Sequence, residues 1–479
     1  MTALADRPAH RAGTHRAAPA GSPPSARPST PRNPVAVRDR WIRTAAEALL
    51  VVALTLVTYW WATGGGFSDL GGWASGLTSV GRLTGLLATV LLLAQVLLMA
   101  RVPVLEQAFG QDRLAMTHRL VGFTSFTAMI AHVGLITWGY AAGDLLASPG
   151  ELWTLSTTYP GMLLAVAGTA CLVMVVVTSM KAARASMRYE SWHLLHLYAY
   201  LGVGLSLPHQ LWTGQEFLAS TARTVFWWTA YALAAGAVLV WRVGLPLARS
   251  LRHRVTVTSV RAEGDGCVSV YLTGEHLDEL GARAGQFLQW RFLTRRGWSR
   301  AHPYSLSAAP DGRSLRITVK DLGDGTAEVP GLRPGTKVLI EGPYGRLTAR
   351  ARTRPGVALI GAGVGITPLR ALAEALDGDV VVLHRFSTQP IFAREFAVLA
   401  RERQLGLVPL PGRRRGPDSW LGAGVGPVDD LAALRARVPD IAERDVYVCG
   451  PTPWTGLVQR TLLAAGTSAD RIHTETFGW

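Results

Sequence analysis

Six predominantly apolar stretches alternate with polar segments in the N-terminal half of the chain. Most of them are long enough to cross a bilayer core of about 30 Å as helices. The fifth is short as an unbroken apolar run, because histidines interrupt it at both ends. The pattern predicts an all-α membrane bundle of six helices, with spans at residues 44–63, 83–100, 120–140, 160–180, 194–207 and 225–247.

The pattern changes after residue 254. Short segments of alternating apolar and polar residues predict the strands of a small β-barrel. From residue 357 a strand, a glycine turn, a helix and a second strand follow one another, which predicts a parallel α/β domain. We therefore expect a disordered basic tail over 1–40, a helical membrane domain over 41–250, a β-barrel domain over 254–350 and an α/β domain over 355–479.

The formal net charge of +15 is distributed unevenly between the loops of the membrane domain. Arginine and lysine are concentrated in the tail and in three loops, at 101–113, 181–188 and 242–254. The alternate loops contain neither residue. The positive-inside rule then places both chain ends, and with them the two C-terminal domains, in the cytoplasm. Because the basic residues flank apolar runs, we expect them to face a lipid bilayer and not a nucleic acid.

Composition narrows the chemistry further. Hydrophobic residues make up 49% of the chain and charged residues 17%, a balance typical of a membrane protein. The three cysteines are too few for a four-cysteine iron–sulfur cluster, and their odd number and wide spacing argue against a disulfide framework. Any redox chemistry therefore needs another cofactor.

Histidines lie within or just beyond the ends of two of the predicted spans. His118 and His132, at the third span, are separated by about 21 Å of helix, with an offset of about 40° from the same face. His196 and His209 in the fifth are roughly 140° out of phase on an ideal helix, and Pro208 can supply the distortion that turns His209 inward. The spacing predicts an inner pair, His118 with His196, and an outer pair, His132 with His209, each suited to a haem iron. The alternative is a set of interhelical hydrogen bonds.

The motif that contains these histidines reads Trp192-His193-Leu194-Leu195-His196, followed by Pro208-His209. It resembles the ferric reductase-like transmembrane domain shared by NADPH oxidases and ferric-chelate reductases. The resemblance implies that the four paired histidines hold two b haems. We expect His193, which has no mate at a suitable spacing, to be structural.

Three further positions follow from this resemblance. Arg82 and Arg101, at the outer and inner ends of the second span, match family arginines near the haem propionates. Arg101 is equally well explained as a positive-inside charge. Ile136 stands where animal NADPH oxidases have a further histidine, a departure that puts an oxidase-type oxygen site in question.

Residues of the predicted barrel carry a flavin-type motif. His302-Pro303-Tyr304-Ser305 precedes Lys320, Gly323-Asp324-Gly325-Thr326 and Gly342-Pro343-Tyr344-Gly345, in the order seen in the ferredoxin-NADP reductase superfamily. The resemblance implies FAD, with Tyr304 packed on the isoalloxazine ring and the Ser305 hydroxyl near N5. The backbone amides of Gly325 and Thr326 can hold a pyrophosphate, although a plain glycine turn between strands fits them too.

A glycine-rich turn opens the predicted α/β domain. It reads Gly361-Ala362-Gly363-Val364-Gly365-Ile366-Thr367-Pro368 and lies between a strand and a helix, where backbone amides can approach a phosphate. Tight packing alone also explains such glycines. In the same superfamily the turn at Cys449-Gly450-Pro451 faces the nicotinamide. The chain end resembles one in which an aromatic residue covers the flavin, which implies Phe477 or, alternatively, Trp479.

Three arginines bear on the choice of nicotinamide. Arg385 and Arg413 or Arg414 are suited to grip a 2′-phosphate and so favour NADPH, with NADH possible. They are equally explained as solvated surface charges.

The combined expectation is a membrane flavocytochrome b. Cytoplasmic NADPH reduces FAD, which is needed because a hydride carries two electrons and haem iron accepts one. Electrons then pass to the inner haem, the outer haem and an acceptor outside, expected to be oxygen giving superoxide. A ferric or other metal-chelate reductase is the alternative enzyme, and a relay to a protein partner is the alternative of another class. The residues expected to act in catalysis are Tyr304, Ser305, Cys449, Phe477 and Arg82.

Overall fold

A computed structural model describes residues 34–295, 297–298, 300–321, 323 and 326–477. Residues 1–33 of the predicted tail lie outside the described residues. The first helix begins at Pro34, within the predicted tail and well before residue 44. The membrane half contains α1 (Pro34–Trp61), α2 (Trp73–Met99), α3 (Pro103–Phe109), α4 (Gln111–Tyr140), α5 (Ser148–Thr158), α6 (Met162–Ser179), α7 (Lys181–Ala185), α8 (Tyr189–Trp212), α9 (Gln215–Leu218), α10 (Thr221–Ala237) and α11 (Leu245–His253).

Five segments of the described chain are helical, long and apolar enough to cross a membrane. They are Val37–Gly66, Trp73–Met99, Gln111–Tyr140, Met162–Ser179 and Thr221–His253. The prediction of a helical membrane region is therefore confirmed. The fifth predicted span lies on α8, a 24-residue helix that is not among these five.

The helices of the membrane half pack in antiparallel neighbours. α2 lies along α4, and α6 lies along α8. Small residues allow the second pair to approach closely: a side chain on Gly168 would meet the Gly202 carbonyl at 2.7 Å. Close helix contact through small residues is typical of membrane bundles, where packing and not water exclusion drives association.

The C-terminal half begins with six antiparallel strands. They are β1 (Thr256–Gly264), β2 (Cys267–Thr273), β3 (Phe287–Phe292), β4 (His302–Ser305), β5 (Ser314–Lys320) and β6 (Val338–Tyr344). These strands form two sheets, in the orders β1-β2-β5 and β4-β3-β6. Isolated bridges link the sheets at Thr256–Lys337 and Leu306–Ile317. Alternating side chains such as Leu288 and Trp290 point inward and are fully buried.

A parallel sheet follows, as predicted from the strand and helix order. Its strands are β7 (Val357–Ala362), β8 (Val380–Phe386), β9 (Gly406–Pro411), β10 (Asp445–Pro451) and β11 (Ile472–Phe477), accompanied by α12 (Ile366–Ala375), α13 (Ala393–Arg403), α14 (Asp430–Arg437) and α15 (Thr452–Ala465). The strands lie in the order β11-β10-β7-β8-β9 and all run parallel. Apolar runs such as β7 are buried on both faces, as the covering helices require.

Charged side chains join the β-sheet domain to the α/β domain. Arg316 of β5 forms a two-pronged pair with Glu395 of α13, at 2.8 and 2.9 Å. Arg370 of α12 reaches the same carboxylate at 2.7 Å. A bidentate pair fixes orientation as well as distance, so this cluster sets how the two domains face each other.

A second set of ion pairs joins the membrane half to the β-sheet domain. Asp39 of α1, whose side chain is 3% exposed, pairs with Arg346 just after β6 at 3.1 Å. Glu341 of β6 lies 3.2 Å from Arg242 and 3.6 Å from Arg101. We call these five residues the junction cluster. These ion pairs hold β6, and the turn that follows it, against the end of the helical bundle where basic residues are concentrated.

Candidate functional site

The inner histidine pair comes together as the spacing predicts. His118 of α4 and His196 of α8 have ring centroids 6.0 Å apart, with 65° between the ring planes. Two metal–imidazole bonds of about 2 Å each, with a ring at either end, require a similar separation. Among the described residues there is no group of three or more histidine, cysteine or acidic side chains suited to a metal. Two imidazoles alone fit a metal whose remaining ligands come from a macrocycle, as in haem.

The outer pair is held by close backbone contacts. His132 places Nδ1 2.8 Å from the Gly81 carbonyl of α2, an arrangement that leaves Nε2 for a ligand. A side chain on Gly85 would lie 2.6 Å from the same ring. His209 packs against Gly161, which combines a positive φ of 81° with an approach too close for a Cβ, 2.8 Å from the His209 nitrogen.

His209 of α8 lies within electrostatic range of His132 of α4. Nδ1 of His209 and Nδ1 of His118 are both buried. His209 lies near the backbone of Ser206, and His118 lies near the backbone of Gln95. Helix α8 runs unbroken through Pro208, so the histidine is not turned by a break in the helix.

α2 serves both histidines of α4 in one register. His132 contacts the backbone of Gly81, and His118 interacts with the backbone of Gln95. The two histidines are fourteen residues apart on α4, and their two backbone partners are fourteen residues apart on α2. This antiparallel register was not visible in the sequence, because a backbone carbonyl carries no residue signature.

The two predicted propionate arginines are engaged by acids. Arg82 pairs with Asp69 at 2.5 Å, while its Nε is buried without a hydrogen-bond partner. Arg101 pairs with Glu106 at 2.8 Å and lies 4.7 Å from the centre of the Tyr344 ring. Arg82 therefore keeps one donor for a ligand, whereas Arg101 belongs to the junction cluster.

A second arginine, at the same end of the helices as Arg82, was not predicted from the sequence. Arg223, at the start of α10, forms an ion pair with Glu216 and donates to the Trp60 carbonyl at 3.2 Å. Both charged side chains are mostly buried, at 13% and 12% exposure. The residue falls just past a loop that lacks basic residues, so loop composition alone did not reveal it.

β4 carries the predicted flavin motif. Tyr304 stacks beside His302, with ring centroids 5.7 Å apart, and its carbonyl accepts a hydrogen bond from the Trp290 indole. The Tyr304 hydroxyl and the Ser305 hydroxyl are both buried and unpartnered. Burial raises the pKa of Tyr304, which keeps the phenol protonated as a donor. Buried hydroxyls without a partner, as at these two positions, fit a polar ligand such as a flavin ring.

The rest of the flavin motif is arranged around carboxylates. Lys320 pairs with Asp265 at 2.7 Å, and Thr388 of the α/β domain donates to the same carboxylate at 2.7 Å. The Gly323 amide and the Thr326 hydroxyl both bond to Asp321. Gly325 lies outside the described residues. Pro303 is on β4 with its neighbours, and Gly342–Pro343 is a cis peptide.

The glycine turn closes on the second predicted nicotinamide turn. A side chain on Gly365 would meet the Cys449 carbonyl at 2.4 Å, and one on Gly361 would meet Ile366 at 2.9 Å. Gly363 has a positive φ of 54°. At the start of α12, the buried Thr367 hydroxyl has no hydrogen-bond partner. Pro368 follows it in the first turn, where its missing N–H is harmless.

Cys449 and Glu475 are opposite one another on β10 and β11. Burial raises the pKa of the Cys449 thiol well above its usual value, so the thiol stays protonated. Burial, with the nearby Asp112 carboxylate, raises the pKa of Glu475 to about 8. Phe477 ends β11 in register with Pro451, and Gly450 packs against Trp454. Trp479 lies outside the described residues.

The three predicted phosphate-binding arginines lie near the ends of β8 and β9. Burial lowers the pKa of Arg385, and the positive charge of Arg414, which is near enough to repel it, lowers that pKa further. Nε of Arg385 is buried and unpartnered. The backbone carbonyl of Arg413 accepts a hydrogen bond from the backbone N–H of Ala423. Among the described residues no acid forms an ion pair with these arginines, so a bound anion would relieve their repulsion.

Comparisons with known proteins agree with this arrangement. Residues 84–207 match the family described as "Ferric reductase like transmembrane component". The chain is 30% identical over 244 residues to the NADPH oxidoreductase of Mycobacterium tuberculosis, covering 48% of this chain and 60% of that protein. It is 30% identical over 264 residues to a flavohemoprotein of Deinococcus radiodurans, covering 52% and 62%.

One solved structure extends the comparison. The flavohem-like FAD/NAD binding domain of nitric oxide dioxygenase from Vibrio cholerae is 28% identical, with a TM-score of 0.40, covering 47% of this chain and 99% of that one. The chain covers less than two thirds of the curated relatives named above. The family match and the two curated relatives confirm the predicted relationship to ferric reductase-like membrane proteins and to reductases. The relative from Mycobacterium tuberculosis is named an NADPH oxidoreductase, which agrees with the predicted enzyme class.

Proposed function

We propose that this chain is a membrane flavocytochrome b oxidoreductase. It takes electrons from cytoplasmic NADPH through FAD and two b haems to an acceptor outside. The observation that carries the proposal is the inner histidine pair, with ring centroids 6.0 Å apart between two helices of the family-matched region. When bound, FAD converts a two-electron hydride into single electrons, and the haems carry those electrons across the bilayer.

Each group of side chains has a separate proposed role, set by its position in the fold. His118 with His196 and His132 with His209 hold the inner and outer haems. Tyr304 and Ser305 are proposed to bind the flavin through hydroxyls that have no other partner. The glycine turn with Thr367 holds the nicotinamide phosphates at the start of α12. Arg385 and Arg414, with Arg413 as the neighbouring alternative, favour NADPH by binding its 2′-phosphate.

Topology is part of the proposal. The six antiparallel strands form the predicted barrel, and α8 crosses the membrane as a sixth span. Its histidines lower its apolar character but are covered by the neighbouring helices and the haems. Both chain ends then lie in the cytoplasm, in keeping with the basic loops.

Oxygen is the proposed acceptor, giving superoxide. Arg82 and Arg223 carry positive charge at the outer ends of the helices, but each is paired with an acid. Paired arginines provide little net field to attract a bulky anionic chelate, whereas a small neutral molecule needs only a pocket at the haem edge. The unpartnered Nε of Arg82 remains available to stabilise a developing anion. Ile136 supplies no imidazole beside it.

Purified protein in detergent, supplied with FAD, provides the direct test. A haem assay should find two b haems per chain, and NADPH should reduce both under anaerobic conditions. Admitting oxygen should then yield superoxide, measured as cytochrome c reduction that superoxide dismutase blocks. Rapid ferric chelate reduction with no superoxide would favour the metal-reductase alternative. Absence of haem from the purified protein would disprove the flavocytochrome assignment.

Substitution assigns the two sites separately. His132→Leu or His209→Leu should remove the outer haem and leave the inner one. His118→Leu or His196→Leu should stop electrons at the flavin, so that NADPH still reduces FAD but not the outer haem. Unchanged haem content in both outer variants would contradict the outer assignment.

A further inference from the structure

Ser179 makes three hydrogen bonds beside the inner histidine pair. The residue ends α6, and its hydroxyl donates to the Val175 carbonyl one turn earlier, at 2.7 Å. The indole N–H of Trp192 points at the same oxygen from 3.2 Å. Nδ1 of His196 lies 3.2 Å from it as well. One hydroxyl thus joins α6 to two residues of α8.

The hydrogen-bond donors and acceptors of this group determine which ring nitrogen of His196 carries the proton. A serine hydroxyl has one proton and two acceptor positions. A carbonyl can only accept, so the serine proton is used by Val175. The Trp192 indole nitrogen can only donate, which fills one acceptor position. Nδ1 of His196 must therefore carry a proton and donate to the second position. In a neutral imidazole that leaves the lone pair on Nε2.

Stacking holds the same ring in place. The Trp192 ring lies 5.0 Å from the His196 ring, at 37° between planes. The Arg184 guanidinium covers Trp192, 4.7 Å from its centre. Because Trp192 is fixed at both its face and its N–H, its ring limits rotation of His196.

We propose that Ser179 is a positioning residue for the inner haem, whose hydroxyl fixes His196 as the Nδ1–H tautomer and so presents Nε2 to the iron. This inference rests on the proposed function only in taking His196 as a haem ligand. No sequence motif marks Ser179, which lies outside the tryptophan and histidine motif of α8. Nδ1 of His132 has a corresponding partner, the backbone carbonyl of Gly81. A side-chain hydroxyl, unlike a carbonyl, can be removed by substitution.

The hydrogen bond should also tune the haem. Donation from Nδ1–H makes an imidazole ligand more basic and stabilises the oxidised iron. Ser179→Ala removes the acceptor, so the inner haem should become easier to reduce. For a hydrogen bond of about 1 kcal/mol, the ratio of reduced to oxidised inner haem at a fixed potential should rise about fivefold. A tenfold rise corresponds to about 59 mV for a one-electron couple.

The experiment compares three variants of the full-length protein by redox titration and low-temperature electron paramagnetic resonance. Ser179→Ala should raise the inner haem potential and shift its low-spin signal, while the outer haem serves as an internal reference. Ser179→Thr keeps a hydroxyl and should stay close to wild type. Thr178→Ala is the matched control, because the neighbouring Thr178 hydroxyl bonds only within its own helix, to Met174 and Val175.

The outcomes separate this inference from the function it rests on. An unchanged inner potential and signal in Ser179→Ala, with both haems present, would overturn the role of Ser179 and leave the flavocytochrome intact. Loss of the inner haem in Ser179→Ala with retention in Ser179→Thr would support the role. Loss in both variants would overturn it, since the hydroxyl would then not be what matters. A wild-type protein without an inner haem would instead disprove the proposed function.

Discussion

Glu475 illustrates how position sets the chemistry of a single side chain. The residue faces Cys449 across two parallel strands, and its Oε2 is buried without a hydrogen-bond partner. Burial and the Asp112 carboxylate raise its pKa from 4.5 to about 8. At neutral pH it is therefore mostly a neutral acid beside a neutral thiol. A chain end with this arrangement presents proton donors, and not charges, to the nicotinamide turn.

The raised pKa predicts a specific pH dependence of stability. Because the folded pKa of about 8 lies above the usual 4.5, ionisation of Glu475 opposes folding. The wild type should lose stability relative to Glu475→Gln as pH rises through that interval, and the difference should level off above pH 8. Thermal unfolding followed by flavin fluorescence would measure this. Parallel stability curves across the interval would contradict it.

Gly365 carries a prediction about close approach. A methyl group there would lie 2.4 Å from the Cys449 carbonyl oxygen and 2.8 Å from its carbon, so backbone would have to move. Gly365→Ala should destabilise the α/β domain by about 1–3 kcal/mol and slow FAD reduction by NADPH. Gly456→Ala, with open space around it, is the control. Equal behaviour of the two variants would show that the two turns are not packed as described.

Individual residues were predictable to different extents. The paired histidines, Tyr304 and the glycine turn could be proposed from the sequence because their chemistry is unusual where they occur. Ser179 was not, since a serine at a helix end is common and its role depends on which helix lies opposite. Arg101 was predicted either to lie near a haem propionate or to be a positive-inside charge. In the structure it contacts Glu106 and Tyr344, and the contact with Tyr344 joins segments that are far apart in the chain.

Pairs of helices explain features that single residues do not. α2 and α4 meet at Gly85, where a side chain would lie 2.6 Å from Nδ1 and 2.8 Å from Cε1 of His132. Displacing that ring would also break its 2.8 Å contact with the Gly81 carbonyl. The glycine is thus part of the outer site although it binds nothing itself.

Gly85→Ala should therefore weaken or remove the outer haem and leave the inner haem in place. The reason is steric, because the added methyl group and the imidazole cannot both keep their positions. The haem count and the optical spectrum of each haem would measure the effect. Gly134→Ala, on α4 with nothing within 4 Å, should bind both haems normally. Full outer haem occupancy in Gly85→Ala would show that the ring has room to move.

Helix periodicity predicted which segments are helical better than it predicted the directions in which their side chains point. It placed the histidine helices correctly, but an ideal helix left His196 and His209 about 140° apart. α8 remains helical through Pro208, and α6 comes close to His209 because Gly161 adopts a positive φ. The direction in which a histidine side chain points therefore depends on the neighbouring helix. The residue pattern of a single segment does not describe that neighbour.

At the scale of the whole molecule, the junction cluster connects the two halves. Glu341 of β6 is shared by Arg242 and Arg101, and its carboxylate also accepts from the Tyr344 hydroxyl at 2.9 Å. Two cations and one phenol meet at one carboxylate. The cluster thereby orients the flavin-type sheet toward the end of the bundle that carries His118 and His196.

Neutralising this carboxylate should affect transfer between the halves more than chemistry within either half. Glu341→Gln should leave hydride transfer from NADPH to FAD nearly unchanged and slow electron transfer from FAD to the inner haem. Stopped-flow absorbance resolves the two steps. Arg350→Ala, at an exposed position beyond β6, is the control. Equal slowing of both steps would mean that Glu341 supports the sheet and not the junction.

The order of the domains was readable from the sequence, and their docking was not. Apolar runs followed by alternating and then strand–helix segments gave the architecture, because each pattern is local. Pairs such as Asp39 with Arg346, or Arg316 with Glu395, join residues far apart in the chain, and charged residues are too common in the sequence for their partners to be recognised there. Only the folded molecule distinguishes the pairs that dock domains from those in solvent.

The shared register of α2 and α4 restricts how the length of this protein can change. A helix advances about 1.5 Å and turns about 100° per residue, so one residue inserted between His118 and His132 would turn one imidazole away from its partner. Restoring both contacts would require a matching insertion between Gly81 and Gln95. Single insertions and deletions should therefore be excluded from these two intervals, although loops nearby tolerate them. Under the proposed function, this pair of helices fixes the distance between the inner and outer haem sites.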